Sequence, residues 1–316
     1  MFAARGLAVS FSVFVMVYCV LSLAVSLAWR TVRLHSQRHP VRRIADLLFA
    51  LRIFPLVTAV VVTAAFTVPS FLLLEPRAIE EPIRAVPLAL GIFGAVLGIF
   101  GVVNAGLALR RASRTISTWT SAAQRVASST PIPVLRISPA VPAMTAAGIV
   151  RPKVLLSGAA ESMLTANELQ TALNHELAHV RRRDNLKKFL LRFVSFPGMS
   201  GLEAAWLETT EMAADDAAVS NAGEALDLAA ALIKLSRLGP VEPAIDLTAA
   251  LLHSPARIMN ARVERLIAWR DDRLTSPPRF SPWYGLGAAL ATIVVFAVTY
   301  SQLLVHVHTA TEWLVR

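Results

Sequence analysis

The chain has 316 residues, of which 55% are hydrophobic and 16% are charged, and its formal net charge is +10. A mean hydropathy of +0.56 excludes an ordinary soluble globular protein. The single cysteine, Cys19, excludes a disulfide framework within one chain and a cysteine-based zinc site. The arginines flank apolar stretches and form no single basic face, which argues against direct nucleic-acid binding.

Four apolar stretches each approach the roughly 20 residues needed to cross a lipid bilayer. They lie at about 7–29, 53–74, 85–109 and 283–305. The first stretch is too long for the core of a signal peptide and lacks a small-residue cleavage pattern, so we expect it to be retained. The sequence therefore predicts a multi-pass α-helical membrane protein with four transmembrane helices.

The basic residues predict the orientation of these spans. They concentrate in the loop 30–43 and at both ends of segment 110–282, whereas the loop 75–84 holds three glutamates and two arginines. The positive-inside rule then places loop 30–43 and segment 110–282 in the cytoplasm. The N-terminus and the short tail 306–316 are expected outside, in a plasma (inner) membrane protein.

Segment 110–282 predicts one α+β domain between spans three and four. Residues 132–138 and 153–157 have the pattern of short strands, and 143–150 joins them as a hairpin or a third strand. Helical patterns follow at 166–183, 185–196, 202–221, 225–238 and 256–272, with a capping-box sequence at Thr165–Glu168. We expect 153–157 to be an edge strand that could receive an extended substrate, although a purely structural strand is the alternative.

The run His175-Glu176-Leu177-Ala178-His179 is an HExxH motif. Residues four apart lie on one face of a helix, so His175 and His179 can bind one metal ion. Glu176 is rotated by about a third of a helical turn from His175, so it lies beside the metal and can act as a general base. A catalytic zinc site takes three protein ligands and leaves a position for water, which predicts Zn²⁺ as cofactor and Glu211 as the third ligand.

Asp215 follows Glu211 by four residues and can accept the second N–H of a ligand histidine. Glu203 and Glu208 compete for the role of third ligand, and Asp216 competes with Asp215 in a poorer helical register. Glu211 is preferred because only it has an aspartate four residues on. His253 could donate to the oxyanion that develops during hydrolysis, and a partly exposed histidine without that role is the alternative.

Residues 148–156, Glu168-Leu169 and 175–184 together resemble the membrane metallopeptidases of the BlaR/MecR sensor-transducer type. The spacing of Glu211 and Asp215 resembles that of gluzincins, in which the glutamate binds zinc and the aspartate orients a histidine. The resemblance covers about 140–225 and the arrangement of three spans before the domain and one after. HtpX and Ste-type membrane proteases share both motifs, and His253-Ser254-Pro255 with Arg262 loosely resembles their His-Pro-to-Arg segment. In the HtpX plan, however, spans intervene between the two motifs, and here only 31 residues separate them.

The resemblance implies a zincin-like domain in an integral membrane zinc endopeptidase for cytoplasmic or membrane-proximal polypeptides. A transcriptional repressor and the chain itself are the expected targets in signal transduction. The related receptors continue beyond span four into an extracellular penicillin-binding domain, and we expect this chain, which ends at Arg316, to lack antibiotic sensing. The alternatives are a quality-control protease of the HtpX type and a zinc-binding transducer with little hydrolytic activity. The intact base Glu176 argues against the transducer.

Overall fold

The computed structural model describes residues 2–36, 39–76, 84–126, 130–137, 143–193, 196, 198–238, 249–250, 256–269 and 299–312. The chain divides into two compact units. The first comprises Met1–Leu27, Ile53–Phe100 and Thr275–Arg316, and the second comprises Ala28–Arg52 and Gly101–Leu274.

Among the described residues, three long helices are apolar enough to cross a membrane. They are α1 (Phe2–Ser36), a continuous helix over Val41–Leu74, and α4 (Ala85–Thr120). The middle helix consists of α2 (Val41–Val62), a π-helical turn (Thr63–Thr67) and α3 (Val68–Leu74). These helices contain the three predicted spans 7–29, 53–74 and 85–109. Of the predicted fourth span, 283–298 lies outside the described residues, and 299–305 begins a helix over 299–312.

Polar groups within the first unit join its helices. The Ser12 hydroxyl donates to the Pro87 carbonyl at 2.8 Å and so ties α1 to the start of α4. The Tyr300 hydroxyl donates to the Ala65 carbonyl of the π-helical turn at 2.7 Å. A Cβ atom on Gly91 would lie 2.9 Å from the Ala8 Cα atom, so glycine permits close approach of α1 and α4.

The second unit contains a five-stranded sheet in the order β1-β2-β4-β3-β5. The strands are β1 (Gln124–Val126), β2 (Val134–Ile137), β3 (Met144–Ala147), β4 (Lys153–Ser157) and β5 (Ala249–Ala250). β2 and β4 are parallel, and the other neighbouring pairs are antiparallel.

The prediction that 153–157 forms an edge strand is wrong. β4 lies between β2 and β3, and its residues from Val154 to Ser157 are all buried. The continuous apolar run Val154-Leu155-Leu156 fits a strand that is covered on both faces. Segment 143–150 supplies the third strand, β3, which forms a hairpin with β4. The turn of this hairpin contains Gly148 at φ +92°.

Six further helices of the second unit lie among the described residues. They are α5 (Gly158–Met163), α6 (Ala166–Arg181), α7 (Asp184–Leu191), α8 (Ser200–Ala218), α9 (Ala222–Ser236) and α10 (Ala256–Ile267). The capping box predicted before α6 is confirmed, because Glu168 N donates to Thr165 Oγ1 and Thr165 N donates to Glu168 Oε2. The main core lies between the sheet and α6, α9 and α10, and its large members include Met144, Leu156, Leu177, Leu228, Leu232 and Leu266.

The C-terminal end of α1 and the N-terminal end of α2 belong to the second unit, where they contact α7 and α8. Arg33 forms an ion pair with Glu208 at 3.1 Å, and Lys187 forms one with Asp46 at 3.1 Å. The rings of Phe49 and the fully buried Trp206 lie 5.8 Å apart. The contacts of Glu208 and Trp206 fix α8, the helix that carries Glu211.

Candidate metal centre

Helix α6 presents His175 and His179 on one face, with both side chains buried. Leu173 and Leu177 lie on a different face and pack in the main core. A residue advances by about 100° around a helix, so the four-residue spacing of the histidines brings their rings together. Their Nε2 atoms lie 3.1 Å apart.

Glu211 reaches the two histidines from α8. Its Oε1 lies 3.5 Å from His179 Nε2, and its Oε2 lies 3.5 Å from His175 Nε2. One ligand atom from each of the three residues falls within 4.8 Å of the others, so they could hold a metal ion together. Two imidazoles and one carboxylate are a donor set that suits zinc and several other divalent transition metals.

Each histidine has a buried aspartate at its other ring nitrogen. His175 Nδ1 lies 3.0 Å from Asp215 Oδ1 on α8, and His179 Nδ1 lies 2.8 Å from Asp184 Oδ2 at the start of α7. A carboxylate beside a ring nitrogen favours the tautomer with the proton on that nitrogen, here Nδ1. This arrangement leaves both Nε2 atoms directed at the same space.

The left-handed backbone conformation of Arg183 turns the chain so that Asp184 lies beside the end of α6. Arg183 has φ +56° and ψ +39°, between the last turn of α6 and the first residue of α7. An αL residue after a helix reverses the chain direction, a role that glycine fills most often. Here an arginine takes that conformation, and the carboxylate that follows meets His179.

The arrangement requires a positive charge between the two Nε2 atoms, because their lone pairs face each other. Burial alone would lower the pKa of His179, but Glu211 and Asp184 raise it to about 10. Burial alone would raise the pKa of Glu211, but His179, His175 and Arg262 hold it well below its usual range. A proton therefore binds strongly at the position that a metal ion would take, and the residues fit a divalent cation.

Glu176 is fully buried beside the histidines. The backbone N–H of Ala146, in β3, donates to Glu176 Oε2 at 2.6 Å. Glu176 Oε1 has no hydrogen-bond partner among the described residues. Burial raises the pKa of Glu176, and Glu211 adds to this effect. A carboxylate in this environment accepts a proton more readily than one in water.

A buried guanidinium lies behind the carboxylates. Arg262, on α10, has no exposed surface. Its Nε and Nη2 donate to Asp215 Oδ2 and Oδ1 at 2.8 and 2.7 Å, and its Nη1 lies 3.1 Å from Glu211 Oε2. Although burial alone would raise the pKa of Asp215, Arg262 and His175 lower it to about 2. Asp215 is therefore ionised at neutral pH.

The competing residues lie elsewhere. Glu208 pairs with Arg33, and Asp216 forms an ion pair with Arg265. Glu203 lies in the first turn of α8, two helical turns before Glu211. His253 lies outside the described residues.

Two residues of the site, Asp184 and Arg262, were not predicted from the sequence to support the metal ligands. The position of Asp184, five residues after His179, does not fit helical spacing, so only the αL turn at Arg183 explains the contact. Arg262 follows Glu211 by 51 positions, and no spacing rule relates the two residues. Helical patterns indicated α10 itself, but not the direction in which its arginine points.

The profile of the BlaR1 peptidase M56 family matches residues 13–266, a range that contains α2 to α9 and nearly all of α10. Comparison with curated proteins gives no match. The matched range covers most of the chain, including the metal centre and most of the three apolar helices. The resemblance to membrane peptidases of the BlaR/MecR type is thereby confirmed, and the chain belongs to the BlaR1 peptidase M56 family.

Proposed function

We propose that this protein is a zinc-dependent endopeptidase whose metal ligands are His175, His179 and Glu211. The observation that supports this most directly is the convergence of three buried donors within 4.8 Å. Glu176, the residue next to the first ligand, is buried with them. A purely structural zinc site has four protein ligands, whereas a catalytic one has three and keeps a position for water.

Bound zinc would act as a Lewis acid that lowers the pKa of a water molecule and polarises the scissile carbonyl. Glu176 accepts a proton from that water and passes it to the leaving amine. Its raised pKa suits it to both steps. The Ala146 N–H holds Glu176 Oε2 and leaves Oε1 for the water.

The two aspartates position the ligand histidines. Asp215 fixes the ring of His175 with the proton on Nδ1, and Asp184 does the same for His179. Such outer carboxylates set the tautomer and raise the basicity of the ligating nitrogen. No role is assigned to His253 in this mechanism.

The first experiment compares the full-length wild type with Glu176→Gln and His175→Ala in detergent. We expect stoichiometric zinc in the wild type and in Glu176→Gln, and much less in His175→Ala. Cleavage of fluorescein-labelled casein should fall by about 10²- to 10⁴-fold in Glu176→Gln. Absence of zinc from the wild type, or full activity of Glu176→Gln, would contradict the proposal.

We also propose the arrangement of the protein in the membrane. Residues 1–109 contain three spans and the cytoplasmic loop 30–43, residues 110–282 form the cytoplasmic domain, 283–305 form the fourth span, and 306–316 lie outside. Clusters of arginine beside the apolar stretches support this topology. Because Cys19 is the single cysteine, Cys19→Ser with Val150→Cys provides one thiol at a position that is 89% exposed. A membrane-impermeant maleimide should label it in inverted inner-membrane vesicles and not in intact spheroplasts.

The proposed substrates are cytoplasmic or membrane-proximal polypeptides in a signalling pathway, with a transcriptional repressor and the chain itself as the first candidates. Cells that express the wild type or Glu176→Gln can be compared by mass spectrometry of new protein N-termini. A few cleaved proteins, including a DNA-binding protein or the peptidase itself, would support signalling. Broad cleavage of misfolded membrane proteins would instead support quality control.

A further inference from the structure

Arg262 is a charged side chain with no solvent exposure, and this requires an explanation beyond packing. Removing a guanidinium from water costs several kcal/mol, and ion pairing in the interior often does no more than offset that cost. Apolar residues of similar volume would stabilise the contact between α8 and α10 at least as well. The partners of Arg262 are the proposed ligand Glu211 and its neighbour on the helix, Asp215.

The guanidinium contacts both carboxylates. Nε and Nη2 form a two-pronged pair with Asp215, which fixes the carboxylate plane. The third nitrogen, Nη1, lies 3.1 Å from one oxygen of Glu211, Oε2. The other oxygen, Oε1, lies 3.5 Å from His179 Nε2.

The two oxygens of Glu211 are therefore not equivalent. Each lies 3.5 Å from a different histidine nitrogen, so distance to the histidines does not select between them. Oε2 lies 3.1 Å from the Arg262 guanidinium, whereas Oε1 lies beside the His179 imidazole, which is neutral when it binds a metal. The ion pair with Arg262 withdraws electron density from Oε2. A carboxylate can bind a metal through one oxygen or through both, and the second mode would raise the number of ligands, with water included, from four to five.

On the basis of the proposed function, we propose that Arg262 is a positioning residue. It makes Glu211 a ligand that binds the metal through one oxygen, Oε1. By holding Oε2, it would keep the number of ligands at four, with water as the fourth. Through Asp215 the same guanidinium also fixes His175. Arg262 touches neither water nor substrate in this scheme and acts entirely through the two carboxylates.

The test compares the full-length chain with Arg262→Gln, Arg262→Lys and Arg265→Gln, each loaded with Co²⁺ in place of zinc. Arg265 is the matched control, because it lies three residues on in α10 and pairs with Asp216, which does not contact the histidines. Visible absorption and X-ray absorption of Co²⁺ report the number of ligands without any need for activity. A change from four to five ligands weakens the visible bands and adds one oxygen to the first coordination shell.

We expect Arg262→Gln to bind Co²⁺ with the five-ligand spectrum, while Arg265→Gln retains the wild-type spectrum. Cleavage of labelled casein by the zinc form should fall by about 10- to 100-fold in kcat, with little change in KM. Arg262→Lys should give an intermediate result, since one ammonium cannot hold both carboxylates.

A wild-type spectrum in folded Arg262→Gln would overturn the proposal. If the glutamine variant does not fold, the lysine variant decides: an unchanged spectrum overturns the proposal and a partial shift supports it. Failure of the wild type to bind Co²⁺ or zinc would instead overturn the proposed function, and the role of Arg262 with it. Binding by the wild type with no spectral change in the Arg262 variants would remove only the role of Arg262.

Discussion

Asp215 Oδ1 lies 3.0 Å from His175 Nδ1, whereas the next residue in the chain, Asp216, forms an ion pair with Arg265. The two aspartates follow each other on α8 and differ by about 100° in direction. Asp215 contacts a proposed metal ligand, whereas Asp216 is partly exposed and contacts α10. This difference provides a matched pair for mutagenesis.

Asp215→Asn should weaken zinc binding by about 10- to 100-fold, because the amide holds the Nδ1 proton of His175 less strongly than the carboxylate. Asp216→Asn should leave the affinity unchanged. Competition with a chromogenic zinc chelator measures both variants. Equal affinities for Asp215→Asn and the wild type would show that Asp215 does not orient the ligand.

Zinc binding should depend strongly on pH. The pKa of His179 is raised to about 10, so at lower pH a metal ion must displace a proton from this ring. Displacement of one proton makes the apparent affinity rise about tenfold for each pH unit from pH 6 to 9. Isothermal titration in buffers of different ionisation enthalpy also counts the released proton.

Asp184→Asn provides the control for this pH dependence. Removing the Asp184 carboxylate takes away one cause of the raised pKa of His179, so the affinity should stop rising at a lower pH than in the wild type. An affinity that does not change with pH in the wild type would contradict the assignment of His179 as a ligand that binds a proton in competition with the metal.

Arg183→Gly should stabilise the protein by on the order of 0.5 kcal/mol, because glycine adopts φ +56° without the steric cost that an arginine bears. Arg183→Val should destabilise it by about 1–2 kcal/mol and weaken zinc binding, since a β-branched residue resists this conformation and displaces Asp184. Thermal unfolding in detergent measures both. Arg181→Gly, within α6, should have the opposite sign to Arg183→Gly.

Gly148→Ala should destabilise the second unit by more than about 1 kcal/mol. Gly148 has φ +92°, and a Cβ atom there would lie 2.7 Å from the Arg151 carbonyl oxygen. Gly158→Ala is the matched control, because a Cβ atom at that position meets nothing within 4 Å. Similar melting temperatures for the two variants would contradict the strain assigned to the β3–β4 turn.

The sequence predicted the parts of the structure that depend on local periodicity. The three apolar helices, the capping box at Thr165 and the shared face of His175 and His179 all follow from spacing along one segment. The position of β4 in the sheet does not, because strand order depends on contacts between distant segments. A continuous apolar run was the available signal, and it favours a central strand.

The outer partners of the metal centre were harder to predict for the same reason. Asp215 could be predicted because it shares a helix face with Glu211. Asp184 depends on a left-handed arginine that no propensity favours, and Arg262 depends on how α10 packs on α8. Long-range pairing of charged groups leaves no periodic trace in the sequence.

The groups of the proposed metal centre come from α6, α7, α8 and α10, so the site exists only when these helices are assembled. Any free energy released on metal binding is then also free energy of folding. When the ion is in excess, each tenfold rise in its free concentration should stabilise the folded domain by about 1.4 kcal/mol. The lifetime of the protein in the cell would therefore follow metal supply, because a chain without its ion unfolds more readily and reaches cellular proteases sooner.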